Sequence, residues 1–170
     1  MIIIVVLIVL LFGFVVFFGA PYVPSKKGET ERAFDELYPL GPTDTLVDIG
    51  SGDGIVLRLA AKRGAKAVGY EINPVLVVIS RWLSRSNLKV TVFFASFWRA
   101  ELPAETTVVY VFGDSRDIKK MAGKVQDTAS RLGRPLSFIS YAIAVPEMTP
   151  VKQVGAHYLY TIEPLQIEAA

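Results

Sequence analysis

No cysteine occurs anywhere in the 170 residues, so disulfides, thiolate metal sites and cysteine nucleophiles are all excluded. Histidine is nearly as scarce, and His157, standing alone, cannot build a histidine-rich metal site. No long stretch of one charge is present. The net charge is +2 with acids and bases interspersed, which leaves phosphate-backbone attraction without a footprint and makes nucleic acid an unexpected partner. Internal repeats and low-complexity tracts are missing too. The length suits one compact domain with a short appendage.

Charge is also missing from Ile2 to Ala20, where every residue is apolar or glycine. About 20 such residues are what a helix needs to cross roughly 30 Å of hydrocarbon. A secretory signal would show a charged start and a shorter apolar run, and a buried core helix would keep a polar stripe. The expectation is a transmembrane helix over residues 1–20. Lys26, Lys27 and Arg32 follow it and no charged side chain precedes it, so the positive-inside rule places the remainder on the cytoplasmic side of a single-pass membrane protein. Pro21 and Pro24 make residues 21–25 a stiff linker, leaving 26–170 as the domain.

Within the domain, Ser25 is a candidate cap for a helix over 26–38. After it, short apolar runs at 45–49, 67–70, 88–94, 107–112 and 136–142 read as strands, with helices at 55–62, 75–83 and 116–132 between them. Strand alternating with helix implies a parallel sheet. Runs at 151–154 and 157–162 around Gly155-Ala156 suit a terminal antiparallel hairpin. The expected class is thus α/β, a mostly parallel Rossmann-like sheet with an antiparallel end, preceded by one transmembrane helix.

The first strand runs into Asp48-Ile49-Gly50-Ser51-Gly52-Asp53-Gly54, the position where open parallel sheets bind ligands. Two nucleotide fingerprints fail here. Ile55 occupies the place of the third glycine of a dinucleotide loop, and no Gly-Lys-Ser/Thr ending marks a P-loop. The pattern D-x-G-x-G-x-G resembles motif I of class I S-adenosylmethionine-dependent methyltransferases. That cofactor lacks phosphate and carries an ammonium, so an acid beside the loop is useful: Asp48 is placed for the ammonium, while Gly50, Ser51, Gly52 and Gly54 offer clearance and backbone N–H groups. Glu71 closes the second strand, where an acid can accept hydrogen bonds from ribose hydroxyls.

Pro21-Tyr22-Val23-Pro24, the glycine loop, Gly69-Tyr70-Glu71-Ile72-Asn73-Pro74 and Ser80-Arg81-Trp82 together resemble the small, often membrane-anchored protein-lysine methyltransferases that modify the ATP synthase c-subunit and the adenine nucleotide translocase, with compact archaeal relatives. The resemblance covers about residues 21–111. It implies a membrane-tethered protein-lysine N-methyltransferase acting on a protein substrate, with no metal, and extends the cofactor contacts to Ile72, Asn73, Ser96, Phe97 and Trp98. Ser96 departs from the acidic or amide residue usual before a Leu-Trp pair, and its hydroxyl is a weaker partner for adenine. The absence of an Asp/Asn-Pro-Pro-aromatic segment after the fourth strand, where Phe112-Gly113-Asp114-Ser115 stands, argues against nucleic-acid amino groups as target.

Tyr22 is the candidate for shaping the lysine channel, an aromatic face suiting an alkylammonium stem. Glu29, Asp114 and Glu147 are candidate proton acceptors, each also readable as a solvated acid. Trp82 is expected in the core, Trp98 either in the core or against the cofactor, and His157 packed. Two other readings share the pocket: a methyltransferase for a lipid-soluble small molecule, and a binding module that has lost catalysis.

Overall fold

The computed structural model describes residues 2, 3, 6, 25–112 and 116–165. After Ser25 the chain forms helix α1 (Lys27–Arg32), which continues without a break into a π-helical turn (Ala33–Leu37). Alternation then begins: β1 (Thr45–Ile49), α2 (Ile55–Lys62), β2 (Lys66–Glu71), α3 (Pro74–Ser84), β3 (Val90–Phe94), β4 (Val108–Phe112), α4 (Ile118–Leu132) and β5 (Leu136–Tyr141), followed by the short β6 (Lys152–Val154) and β7 (His157–Ile162). Seven strands make one sheet in the order β3-β2-β1-β4-β5-β7-β6. The first five are parallel, and β7 runs antiparallel between β5 and β6.

Parallel strands covered on both faces must be apolar along their whole length, and β1 is buried at every position. Alternation along each strand sorts the core into two layers. On one face Leu46, Val108, Tyr110, Ile139 and Tyr141 pack beneath α1, the π turn and α2, with Val77 of α3. On the other, Val47, Val109, Val111 and Phe138 pack against Ile118, Ala122 and Val125 of α4. The order of the strands reverses direction between β1 and β4, which opens the crevice where such sheets hold ligands.

Three expectations need correction. The transmembrane helix over residues 1–20 is one. Among the described residues no helix is long and apolar enough to cross a membrane. Crossing takes about 20 continuous helical residues, whereas the helices α1 to α4 run from 6 to 15 residues. Of the apolar run only Ile2, Ile3 and Val6 are described, and all three are helical and exposed. The rest of residues 1–24, including the linker segment 21–24, lies outside the described residues. An uninterrupted apolar composition satisfies the solvent requirement for a span but does not itself establish one, so the fold class of the described residues is the seven-stranded sheet alone. Second, α1 is capped at Lys26 in an extended conformation with no side-chain hydrogen bond, rather than by Ser25. Third, Trp82 is not core: it is 61% exposed, because α3 buries Leu76, Val77, Ser80 and Ser84 and turns the tryptophan outward.

Candidate functional site

Asp48 and Glu71 point to the same face of the sheet, since Asp48 stands opposite Gly69 in register and Glu71 follows two residues later. Glu71 is buried, and its carboxylate organises the end of β2. One oxygen, Oε2, accepts the Gly52 N–H at 2.9 Å, and the other accepts the N–H groups of Ile72 at 2.9 Å and Asn73 at 2.8 Å. The acid expected to meet a ribose thus also clamps the glycine loop to the strand beside it. Asn73 is buried and caps α3, its Oδ1 accepting from Val75 at 3.0 Å and Leu76 at 3.4 Å.

The loop itself turns on left-handed residues, Gly50, Gly52 and Gly54 all having φ between 53° and 79°. A side chain at any of them would be strained. Gly69 is required for a different reason: a Cβ there would lie 2.5 Å from Ser51 Oγ and 2.6 Å from Leu57 Cδ1, so β2 approaches the loop only without one. The loop's amides are engaged inside the protein. Gly50 and Ser51 donate to the Tyr70 carbonyl at 2.9 and 3.1 Å, Gly52 to Glu71, and Gly54 to the Ser51 carbonyl at 2.8 Å. The expectation that these N–H groups approach a ligand carboxylate is therefore revised. What the loop presents is clearance, with nothing within 4 Å of the Cβ position of Gly50, and unmet hydrogen-bonding capacity, since Ser51 Oγ and Ser80 Oγ are buried without a partner among the described residues.

The electrostatics separate this loop from a phosphate cradle. Asp48 is 3% exposed, and burial, reinforced by the negative charges of Glu71 and Asp53, holds its carboxyl well above the usual carboxylate range. Arg58 is the nearby cation, but it is tied to Asp53, with Nη2 to Oδ2 at 3.3 Å and Nη1 donating to the Asp53 carbonyl. With Arg58 engaged in this way, the acids beside the loop disfavour a phosphate and suit a ligand that is itself positive. A sulfonium bearing an amino-acid ammonium is such a ligand, and Asp48, Ser51 and Glu71 fit it.

The adenine-side residues separate. Ile72 is part-exposed beside Glu71, Ser96 is half-buried in the turn after β3, and Trp98 is 44% exposed, its ring edge-on to Phe97. Phe97 is buried in the α4-side core with the Lys124 ammonium 5.4 Å from its ring centre, so the domain core holds it regardless of any ligand. Tyr22 and Asp114 lie outside the described residues. Glu147 is solvent-facing and paired with Lys119 at 2.6 Å.

One group emerges that the spacing of residues could not show. Across the switch point, β4 and β5 end at Phe112 and Tyr141, paired in register with rings 4.7 Å apart. Tyr141 Oη donates to Glu29 Oε2 at 2.7 Å, a contact spanning 112 residues of sequence. That bond, and the Lys26 ammonium 3.1 Å away, hold Glu29 below its usual range, while burial and the Glu29 carboxylate push the Tyr141 hydroxyl up to about 12. His157 stacks on Tyr141 with ring centres 4.3 Å apart and meets Tyr110 Oη through Nε2 at 3.0 Å. Burial pulls its imidazole down to about 4, so it is neutral and packed.

Relatives point the same way. The family model for the ANTKMT methyltransferase domain matches residues 48–152, which runs from Asp48 to the last strand pair. A Xenopus laevis lysine N-methyltransferase of the ATP synthase c-subunit is 34% identical over 116 residues, covering 64% of this chain and 50% of that protein. The Homo sapiens protein of the same name is also 34% identical over 116 residues, covering 64% and 48%. The chain spans about half the length of the curated relatives it matches. Among solved structures, an RNA methyltransferase from Salinibacter ruber in complex with S-adenosyl-L-homocysteine superposes with a TM-score of 0.75 at 26% identity, covering 86% of this chain and 98% of that one.

Proposed function

The chain belongs to the ANTKMT methyltransferase domain family, and from that premise we propose that it transfers the methyl group of S-adenosylmethionine to the side-chain amine of a protein lysine. The observation that carries the cofactor half of this reading is the loop clamped by Glu71 beside the buried Asp48, an acidic recess with clearance over Gly50. The lysine half is supported by the names of the similar proteins and by the aromatic rings of Phe112 and Tyr141 at the ends of β4 and β5, with the Glu29 carboxylate of α1 bonded to Tyr141.

Bound S-adenosylmethionine supplies an electrophilic methyl on a positive sulfur. The chain's residues do the rest. Asp48 holds the ammonium end, Glu71 meets the ribose while bracing the loop, and Ser96 and Trp98 border the adenine. The acceptor nitrogen must approach in line with its lone pair free, and free lysine, with a pKa of about 10.4, is charged at neutral pH. Glu29, fixed by Tyr141, is the described carboxylate at the acceptor side that can take a hydrogen bond from the arriving ammonium and ease its deprotonation. Tyr22 belongs to the same proposal as a wall of the lysine channel.

The Salinibacter likeness favours a second reading, methylation of RNA, and one experiment separates the two. The purified protein is incubated with radiolabelled S-adenosylmethionine and either protein extract or total RNA. Label on lysine in acid hydrolysates is expected, with Glu29→Gln lowering the rate and leaving cofactor affinity unchanged. Label in RNA and none on lysine would replace the reading.

A further inference from the structure

Apolar side chains on the outer face of a helix call for a cover, yet α3 carries them at the margin of the sheet with half of its surface open. Its buried stripe is Leu76, Val77, Ser80 and Ser84; its outer stripe, Val78, Ile79, Trp82 and Leu83, is exposed, Val78 by 65% and Trp82 by 61%. The neighbouring strand β3 is an edge of the sheet and adds Phe94, 61% exposed and on the same side as Val92, which packs in the α3-side core. The helix on the opposite face shows what an ordinary solvated surface looks like in this chain: α4 turns Lys119, Lys120, Asp127 and Arg131 outward.

Charge identifies what covers this margin. Residues 72–100 contain no aspartate or glutamate, and their charged residues are Arg81, Arg85, Lys89 and Arg99. A second copy docking through the same face would set these cations against their own equivalents with no acid to pair them. An anionic partner matches both features. The surface is a helix beside an edge strand, and the Arg85 guanidinium lies 4.8 Å from the centre of the Trp82 ring, an aromatic and cation side by side as in helices that rest at the headgroup level of a bilayer.

We propose that the outer face of α3 and the adjoining edge strand β3 form a docking surface for an anionic lipid bilayer, with Val78, Trp82, Leu83 and Phe94 entering the interface and Arg85 meeting the headgroups, while Arg81, held on the Val92 carbonyl through Nε at 3.0 Å and Nη2 at 2.7 Å, adds its charge beside them. The surface belongs to the folded domain and acts whatever the substrate.

Because the chain has no cysteine, a single nitroxide can be placed on the 170-residue chain without other changes. Val78→Cys carries it on the proposed face and Lys120→Cys on α4 as the control. Vesicles of equal parts phosphatidylglycerol and phosphatidylcholine are expected to raise oxygen collisions and suppress collisions with an aqueous nickel chelate at position 78 and not at position 120. Phosphatidylcholine alone should give much less. Arg85→Gln in the Val78→Cys chain should lower the ratio of shielded to open label about fivefold, the loss of about 1 kcal/mol that one basic residue contributes at an anionic surface. Leu83→Glu should abolish shielding with the circular dichroism unchanged. A label at 78 that stays water-accessible with anionic vesicles overturns the proposal. Shielding that grows with protein concentration in the absence of vesicles overturns it in favour of a second copy, and equal shielding by both lipids overturns the role of the arginines.

Discussion

Asp48 combines full burial with two neighbouring negative charges, and its raised pKa makes it a measurable handle on the cofactor. A carboxyl whose pKa is raised binds a cation better as pH rises through that pKa, because only the ionised form attracts the ammonium. Binding must then release a proton. Calorimetry in buffers of different ionisation heat should find proton release that fades at higher pH, and Asp48→Asn should abolish it and weaken S-adenosylmethionine by about 30-fold or more, since losing one member of a buried charge pair costs about 2–5 kcal/mol. Unchanged affinity and unchanged proton release would remove Asp48 from the site. His157 offers a second titration. Its imidazole titrates at about 4 in the fold against 6.5 when free, so its contribution is complete above pH 6.5 and is lost as pH falls towards 4. Urea midpoints should fall across that window in the native chain and fall less in His157→Gln, which cannot titrate but still offers Tyr110 a partner. At this scale the sequence was legible where function is local: the glycines, Asp48 and Glu71 lie within 24 positions of one another. It offered Glu29 only as one of three candidate acids and was silent on Tyr141, because the contact between the two exists only after the sheet has brought β5 beneath α1.

Elements are most legible where burial leaves the composition little freedom. Strands such as Leu46-Val47 and Val108-Val109 had to be apolar on both faces, and their positions follow from that. Helix surroundings are harder. Since α3 carries apolar residues on both its faces and puts Ser80 and Ser84 on the buried one, its periodicity could not say which side packs, and Trp82, expected inward, faces out. The π turn at Ala33–Leu37 left no signal in spacing, and it is packing of Phe34 and Leu37 on the sheet that sets it. Two substitutions test how elements hold the loop. Gly69→Ala forces a methyl against Ser51 and Leu57, a clash that overpacking precedents put at about 1–3 kcal/mol, and it should weaken cofactor binding as the Glu71 to Gly52 bond is displaced. Asn73→Ala removes only the α3 cap. It should cost about 1 kcal/mol of stability by chemical denaturation and disturb the cofactor less than Gly69→Ala does. The reverse ranking would mean that Asn73 contacts the ligand directly.

For the molecule as a whole, both core layers are built from residues beginning at Ala33 and ending at Ile162, and the described polar contacts of the site begin at Lys26. Among the described residues, neither layer draws on any before Ala33. The division into an N-terminal segment, a linker and a domain starting near residue 26 therefore makes a sharp prediction for a chain that begins at Ser25. It should unfold at the same denaturant midpoint as the full chain and bind S-adenosylmethionine with the same affinity, because Asp48, the glycine loop and Glu71 are all retained. Methyl transfer is the quantity that should change. If Tyr22 walls the lysine channel, the shortened chain loses kcat/KM on a protein substrate while its cofactor affinity stands, and Tyr22→Ala in the full chain reproduces the loss. Tyr22→Phe, which keeps the aromatic face, should restore most of it. A shortened chain that transfers methyl groups at the full rate removes Tyr22 from the channel and leaves the acceptor side to Glu29, Phe112 and Tyr141, whereas one that fails to fold would place the N-terminal residues in the core.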